Sequence, residues 1–426
     1  MIEPHRPLTI CDLTQSYAPS GGGGITTYLR EKRSWMDENS QHELVQIVPG
    51  PADKVTKSGR HTFIEVGSEI LKGNKKYRFI TRTGAVRQLL EEYRPDLIES
   101  QCPWVLPWTA IRYRRHVPET TLVAGYHTDF PTAQIERVAS AMLGPRPGRL
   151  LKGAALFYAG RTYREFDGVY ALSQSTRQVL VDRGIENVSL LDLGVNKARF
   201  GPDKADPAFR AELGLKGKGP LLLYAGRLDA EKRPATVIRA ARLLPPELDA
   251  SLVIIGEGRQ LGELQELAKG LDVAFPGFID DRDQLARAFA SCDIYVSGMA
   301  DETFGISVIE AQASGLPVVG VALGAMPERV PPEVGLLGPR DDAEAMAANI
   351  LKVWHGDRAA MGQAARRLVE ARYDWAQTFE ALFDTVYPAA FEKARARQER
   401  RGVGERISTA LPRLRDRRGA GSFGLR

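Results

Sequence analysis

Leu8-Thr-Ile-Cys-Asp-Leu13, then Thr14-Gln-Ser-Tyr-Ala-Pro-Ser-Gly-Gly-Gly-Gly24, then Ile25-Thr-Thr-Tyr-Leu-Arg-Glu-Lys-Arg-Ser-Trp-Met36: a short apolar run, a glycine-rich loop and a helical pattern follow one another without a break. A strand that passes through a loop into a helix is the first half of a βαβ unit, from which parallel sheets are built. The pattern predicts further strands at Leu44–Val48, Asp96–Glu99, Thr121–Ala124, Gly168–Ala171 and Ser189–Leu191, with a helix-rich insert carrying Arg and Lys between Pro131 and Phe166. Gly201, Pro202, Pro207, Gly214, Gly217, Gly219 and Pro220 then punctuate a linker. Beyond it the alternation restarts. Strands are predicted at Leu221–Ala225, Leu252–Ile255, Val273–Phe275, Ile294–Val296 and Val318–Val321, with helices near Arg233–Leu244, Gln260–Lys269, Arg282–Ala290 and Phe304–Ala313. Two independent doubly wound sheets in tandem are therefore expected. Helical patterns at Ala343–Trp354, Arg358–Ala371 and Trp375–Tyr387 close the folded part.

The bulk properties agree. At roughly 100–200 residues per domain, 426 residues are two or three domains. With 43% hydrophobic and 26% charged residues the chain can bury a core, which excludes wholesale disorder. No run approaches the roughly 18–20 uncharged apolar residues of a membrane span, and the first residues lack the apolar core of a secretory leader. Cys11, Cys102 and Cys292 are too far apart for a CxxC metal site and too few for a disulfide framework. A reduced, cytoplasmic protein is the expectation. The net charge of +5 is concentrated at one end: residues 391–426 hold eleven basic and four acidic residues, so the rest of the chain carries −2. This tail, rich in Arg and poor in apolar residues, is expected to be disordered.

Tandem doubly wound sheets place ligands in the cleft at the carboxyl ends of their strands, so the loops there carry the chemistry. Gly23 and Gly24 end a four-glycine run at the start of a helix, where free N–H groups suit a phosphate; a merely flexible loop is the alternative. No G-x-G-x-x-G with a downstream acid is present, so a dinucleotide site is not expected. Arg227 and Lys232, in Tyr224-Ala-Gly-Arg-Leu-Asp-Ala-Glu-Lys-Arg-Pro234, lie just past a strand and suit a diphosphate, or else pair with local carboxylates. In Asp301-Glu-Thr-Phe-Gly-Ile-Ser-Val-Ile-Glu-Ala-Gln-Ala-Ser-Gly-Leu-Pro317, Glu310 sits on an apolar helical face, and burying a carboxylate there is costly unless it finds partners such as a ribose diol. The amides of Phe304, Gly305 and Ile306 would face a phosphate, and Glu302 would reach hydroxyls beyond it. His127, in Tyr126-His-Thr-Asp-Phe-Pro131, falls at the same cleft end of the first sheet. Asp281-Arg-Asp283 precedes a helix and reads as an N-cap rather than a metal motif, and no metal-ligand spacing occurs elsewhere.

Taken together, Gly23-Gly24-Ile25, Tyr126-His127-Thr128, Gly226-Arg227 with Lys232, and Glu302-x7-Glu310 resemble the retaining family 4 glycosyltransferases over about residues 8–388. The resemblance implies the α/β GT-B fold, two doubly wound Rossmann-like domains facing a central cleft. Residues 1–200 would form the acceptor-side domain and 201–372 the nucleotide-sugar-binding domain, with 373–390 a helix crossing back to the first domain and 391–426 the basic tail. It implies that Arg227 and Lys232 hold the donor diphosphate with the Phe304–Gly305–Ile306 amides, that Glu310 binds the ribose, and that Glu302 touches the donor sugar. Gly23 and Gly24 would approach the phosphates, Ile279 would mark where the backbone reads the base, and His127 would sit beside the transferring sugar. His127 and Glu302 are thus the expected catalytic pair. No divalent metal or other cofactor is then required. The sequence departs from the family where Gly324-Ala-Met-Pro-Glu328 lacks the usual second glycine near the donor sugar.

GDP-mannose or a UDP-hexose is the expected donor, and a lipid or glycan the expected acceptor, because the Tyr126–Pro131 segment looks closest to lipid-directed branches. The 146–164 stretch mixes Arg146, Arg149, Lys152, Arg161 and Arg164 with Leu150, Leu151, Leu156, Phe157 and Tyr158. With the basic tail it is a candidate contact to an anionic membrane, at the inner face; a solvated face is the alternative. Nucleic acid is not an expected partner, since no binding motif accompanies the Arg residues. A catalytically idle nucleotide-sugar-binding subunit and a same-fold epimerase remain as alternatives to transfer.

Overall fold

A computed structural model describes residues 6–15, 17, 18, 23–70 and 78–410; Ser20–Gly22 of the glycine loop and the tail beyond Ala410 lie outside the described residues. The first domain holds β1 (Thr9–Leu13), β2 (Glu43–Gly50), β3 (Lys54–Ser58), β4 (His61–Gly67), β5 (Glu69–Ile70), β6 (Arg78–Phe79), β7 (Leu97–Ser100), β8 (Thr121–Tyr126), β9 (Gly168–Ala171) and β10 (Val188–Leu190). Eight of these form one sheet in the order β10-β9-β8-β7-β1-β2-β4-β3, parallel throughout except where β3 returns antiparallel on β4. The second domain holds β11 (Leu221–Ala225), β12 (Ser251–Ile255), β13 (Val273–Gly277), β14 (Ile294–Val296), β15 (Val318–Val321) and β16 (Gly335–Gly338), all parallel, ordered β13-β12-β11-β14-β15-β16. In both sheets the order reverses beside the domain's first strand, so each has its crevice there: between β1 and β7, and between β11 and β14.

Strands such as Leu221–Ala225 and Val318–Val321 are apolar throughout because helices cover both faces of a parallel sheet. One core cluster belongs to the first domain and another to the second. The third is shared. It runs from Ile10 and Tyr28 through Phe200 to Leu223, Phe304 and Tyr373, and on to Trp375, Phe379 and Tyr387. Strands β3, β4, β5, β6 and β16 are additions to the expected set; β16 is Gly-Leu-Leu-Gly, whose glycines give no strand signal.

Where the chain leaves and re-enters the second domain, the two connecting segments lie side by side: the Val195 N–H donates to the Tyr373 carbonyl at 3.2 Å. A Cβ on Gly194 would stand 2.2 Å from the Trp375 nitrogen, so only glycine permits that approach. From Trp375 onward the chain lies on the first domain. Phe379 and Phe383 pack on Trp35 with ring centroids 5.7 and 5.0 Å apart, each such pair worth about 0.5–1.5 kcal/mol beyond area burial.

For residues 391–410, the rest of the expected tail lying outside the described residues, the expectation of disorder is corrected here: a helix runs from Tyr387 to Ala410. Its cause is that part of the basic run is spent on the first domain. Ala390 and Ala394 are buried, Arg397 Nε pairs with Asp167 at 3.0 Å, and Arg397 Nη1 donates to the Pro118 carbonyl at 3.1 Å. Among the described residues, no helix is long and apolar enough to cross a membrane.

Candidate active site

On the first-domain side, the chain leaves β1, passes the glycine loop and enters helix Gly24–Asn39, with Gly23 as its N-cap. A Cβ on Gly24 would lie 3.3 Å from Ile306 Cγ1, the first residue of helix Ile306–Ala313 in the other domain. Two helix N-termini therefore face one another across the cleft, each presenting the amide end and positive dipole that favour an anion. His127 follows β8. Its carbonyl accepts from Thr303 Oγ1 of the second domain at 2.8 Å, and its Nε2 lies 3.0 Å from the Tyr170 hydroxyl. Burial pushes the imidazole down to about 4, so it is neutral at physiological pH.

On the second-domain side, Arg227 and Lys232 share the loop after β11. Arg227 donates to Asp229 at 2.6 Å and Glu231 at 2.9 Å, while Lys232 meets Glu302 at 3.0 Å. Burial pushes Glu231 up, but Arg227, Lys232 and Arg137 outweigh it and hold the carboxyl below its ordinary range. Arg137, from the first domain, reaches Glu231 at 3.2 Å. Gly305 takes the left-handed conformation at φ +92° that turns the loop into helix Ile306–Ala313. The Phe304 ring is core, edge-on to Tyr373 and under the Arg329 guanidinium at 4.3 Å, which leaves only its backbone toward the cleft. Ile279 is half-buried in the loop after β13, two residues before Asp281 caps helix Arg282–Ala290 through the amides of Asp283 and Gln284.

Glu310 has a partner that the sequence reading did not supply: Arg282 Nη2 at 2.5 Å, stacked over the Phe200 ring at 5.0 Å. Burial raises the Glu310 carboxyl and Arg282 offsets only part of this. The structure thus brings Gly23, Gly24, His127, Arg227, Lys232, Glu302, Gly305 and Ile306 to one cleft, and sets Glu310 one helical turn behind Ile306. Also absent from the sequence reading is a polar cluster behind His127. Lys32 lies between Asp12 at 2.5 Å and Glu99 at 2.7 Å, all three buried, and Glu99 accepts from the hydroxyls of Tyr28, Tyr170 and Tyr387. A signal existed. Asp12 and Glu99 interrupt apolar strands, and Lys32 stands four residues from both Tyr28 and Met36 on the buried face of its helix.

This geometry can be set beside known proteins. The chain is 28% identical over 386 residues, 89% of its length and 96% of the relative's, to a GDP-mannose-dependent alpha-(1-6)-phosphatidylinositol dimannoside mannosyltransferase of Mycobacterium tuberculosis. It is 27% identical over 330 residues, 76% of its length and 74% of the relative's, to a GDP-mannose-dependent alpha-mannosyltransferase of Corynebacterium glutamicum. The fold is that of sucrose-phosphate synthase from Thermosynechococcus elongatus, with a TM-score of 0.73, 22% identity, and 90% and 100% of the two chains covered. HepE of Anabaena, solved in complex with UDP-glucose, gives a TM-score of 0.68 at 20% identity, covering 89% of this chain and 100% of that one. These are GT-B architectures. The family model for glycosyltransferase family 4 matches residues 22–199 and that for glycosyl transferases group 1 matches residues 205–368, the two halves that build the opposite walls of the cleft. A chain whose two sheets match those two models in that order belongs to the group 1, family 4 glycosyltransferases and is an enzyme that transfers a sugar from a nucleotide sugar.

Proposed function

We propose that the enzyme moves a hexose from GDP-mannose, or alternatively from a UDP-hexose, to a lipid or glycan acceptor, with retention of anomeric configuration and without a divalent metal. The observation that carries this reading is the meeting, in one cleft, of two cations from a single loop with two opposed helix N-termini and a buried neutral histidine. Arg227 and Lys232 are held by Asp229, Glu231 and Glu302, so each is already placed and only its counter-ion needs exchanging. A diphosphate would take the carboxylates' place. Lys232 would then release Glu302 to the hydroxyls of the donor sugar, and the Gly305–Ile306 end of the helix would add amide donors to the same phosphates. Preorganised cations and dipoles of this kind stabilise a leaving diphosphate as its charge grows. The bond from C1 to the phosphate oxygen breaks, the bond from C1 to the acceptor oxygen forms on the same face, and the acceptor proton passes to the departing phosphate. Glu310 would hold the ribose, with Arg282 partly offsetting the cost of burying its carboxylate.

The donor choice follows the GDP-mannose dependence in the names of the Mycobacterium and Corynebacterium relatives. A lipid acceptor is supported by the helices Arg137–Leu143 and Pro145–Tyr163 of the first domain, which leave Met142, Leu143, Leu150 and Phe157 between 63% and 77% exposed. Arg146, Arg149, Arg161 and Arg164 are exposed on the same hairpin, and Lys152 is partly occupied by Glu136 at 2.7 Å. Apolar side chains ringed by arginines suit an anionic bilayer surface.

Thermal unfolding with GDP, UDP and ADP, with EDTA and then with magnesium, tests the reading. At 100 times its dissociation constant a ligand stabilises by about 2.7 kcal/mol, a shift of several degrees. GDP should give that shift independently of metal, and Glu310→Ala should lose it. A shift with UDP alone would reassign the donor to a UDP-hexose. A shift that needs magnesium overturns metal independence, and no shift with any nucleotide overturns the site. Retention is read from the anomeric coupling of the product sugar by NMR.

A further inference from the structure

A phenol has one proton, and the position of Tyr170 decides where it goes. The Tyr170 oxygen is 2.6 Å from Glu99 Oε1 and 3.0 Å from His127 Nε2. Glu99 accepts at Oε1 from Tyr28 at 2.8 Å and from Gln101 at 3.1 Å as well, and at Oε2 from Lys32 at 2.7 Å and from Tyr387. Five donors, Lys32 among them, converge on two oxygens, so the carboxylate is ionised. A short bond to a carboxylate is stronger than a longer one to a neutral imidazole, and the Tyr170 proton belongs to Glu99. The Tyr170 oxygen is then left as an acceptor toward His127. Nε2 must carry the hydrogen, and Nδ1 becomes the ring's lone-pair nitrogen.

A second observation is independent of this proton counting. Gly125 lies within β8 with no positive φ that would call for glycine. A Cβ there would stand 2.5 Å from the Tyr170 hydroxyl and 2.6 Å from His127 Nε2. The glycine keeps open the space in which the two side chains meet. His127, Tyr170, Glu99, Tyr28 and Lys32 are all buried, so water does not compete for these bonds.

We infer that Tyr170, held by Glu99, is a positioning residue that fixes His127 as its Nε2–H tautomer, so that the ring offers the donor sugar an acceptor at Nδ1 rather than a proton. This rests on the proposal that His127 lies beside that sugar. Glu99 acts one step further back, and Tyr387 ties the terminal helix to the same carboxylate. A polar cluster that only stabilised the fold would set the same tautomer but leave kcat unchanged when Tyr170 loses its hydroxyl.

Full-length protein labelled with 15N-histidine tests the inference. Long-range nitrogen–proton correlations distinguish the two tautomers, and His127→Gln identifies the His127 signals among the six histidines. The wild type should show Nε2 protonated and Nδ1 bare at pH 7. Tyr170→Phe should shift the ring toward Nδ1–H and lower kcat by about tenfold, with the KM for the nucleotide sugar within about twofold of wild type. A wild-type Nδ1–H tautomer overturns the inference, as does a Tyr170→Phe variant that keeps the wild-type tautomer. Should Tyr170→Phe not fold, Gly125→Ala, which wedges a methyl group between the same atoms, is read in the same way. If His127→Gln retains full kcat, the placement of His127 beside the sugar is what fails, whatever tautomer the spectra show.

Discussion

His127 carries a pH signature that can be measured without substrate. Its folded pKa of about 4 lies below its ordinary 6.5, so between these values the unfolded chain binds a proton that the folded chain refuses. Stability contributed by this residue is therefore present above about pH 6.5 and lost as pH falls through that window. Replacing the ring removes the linkage: His127→Gln should flatten the slope of urea-measured stability between pH 6 and 4.5 by up to ~1.4 kcal/mol per pH unit. An unchanged slope would mean that the imidazole is not buried neutral. Glu310 makes a separate case. Removing its partner by Arg282→Ala leaves a buried carboxylate unpaired, which should cost roughly 2 kcal/mol at pH 7 and progressively less as the pH falls, since burial already favours its protonated form. A loss that does not change with pH would show that Arg282 acts through packing on Phe200 instead. At this scale the sequence was legible wherever a residue type clashed with its pattern. A carboxylate on the apolar face of Ile306–Ala313 announces a partner, but the identity of that partner, Arg282, depends on how β13 and its loop fold back and is written in no local spacing.

The loop into helix Ile306–Ala313 is the element on which the second domain's half of the site depends. Gly305 holds φ +92°, and a Cβ there would press on Val308 at 3.2 Å and Glu302 at 3.3 Å. Gly305→Ala should destabilise by roughly 1–2 kcal/mol and, by rotating the helix's first amides, weaken nucleotide binding by about tenfold. Retained affinity in an isothermal titration would separate those amides from the phosphates. In the first domain the element to test is the hairpin of Arg137–Leu143 and Pro145–Tyr163. Leu150→Ser with Phe157→Ser touches exposed side chains only, so thermal stability should change by no more than about 0.5 kcal/mol while co-sedimentation with anionic vesicles falls. Undiminished vesicle binding would remove this face from the acceptor argument. Most strands and helices were readable because buried parallel strands are apolar runs bounded by turn residues. The missed β3 and β4 form the sheet edge, where β3 is exposed throughout and no apolar run is required. The helix beyond residue 391 was missed because composition reports solubility; it could not show that Asp167, with Arg114 on one side, was waiting for Arg397 on the other.

At the scale of the whole molecule, Arg329 is a fully buried tie between the two domains. It has no exposed side-chain surface, donates to the Leu172 carbonyl of the first domain at 2.5 Å, pairs with Asp192 at 3.2 Å and stacks on Phe304. Removing it leaves a cavity and strips the Leu172 carbonyl of its donor, while Asp192 keeps Arg372, so Arg329→Ala should cost about 3 kcal/mol and split a single calorimetric transition into two. A variant that still melts in one transition would place the coupling in the shared core cluster instead. That cluster depends on the end of the chain lying on its beginning, and this has a consequence for how the protein is made. Glu99 and Tyr387 are 288 residues apart. At about 5–20 residues per second, a ribosome supplies the tyrosine tens of seconds after the glutamate. Through that interval the nascent first domain has its sheet but lacks Trp375, Phe379 and Tyr387, and its aromatic seam stays open to any chaperone that binds exposed rings. The half of the enzyme synthesised first is the half completed last.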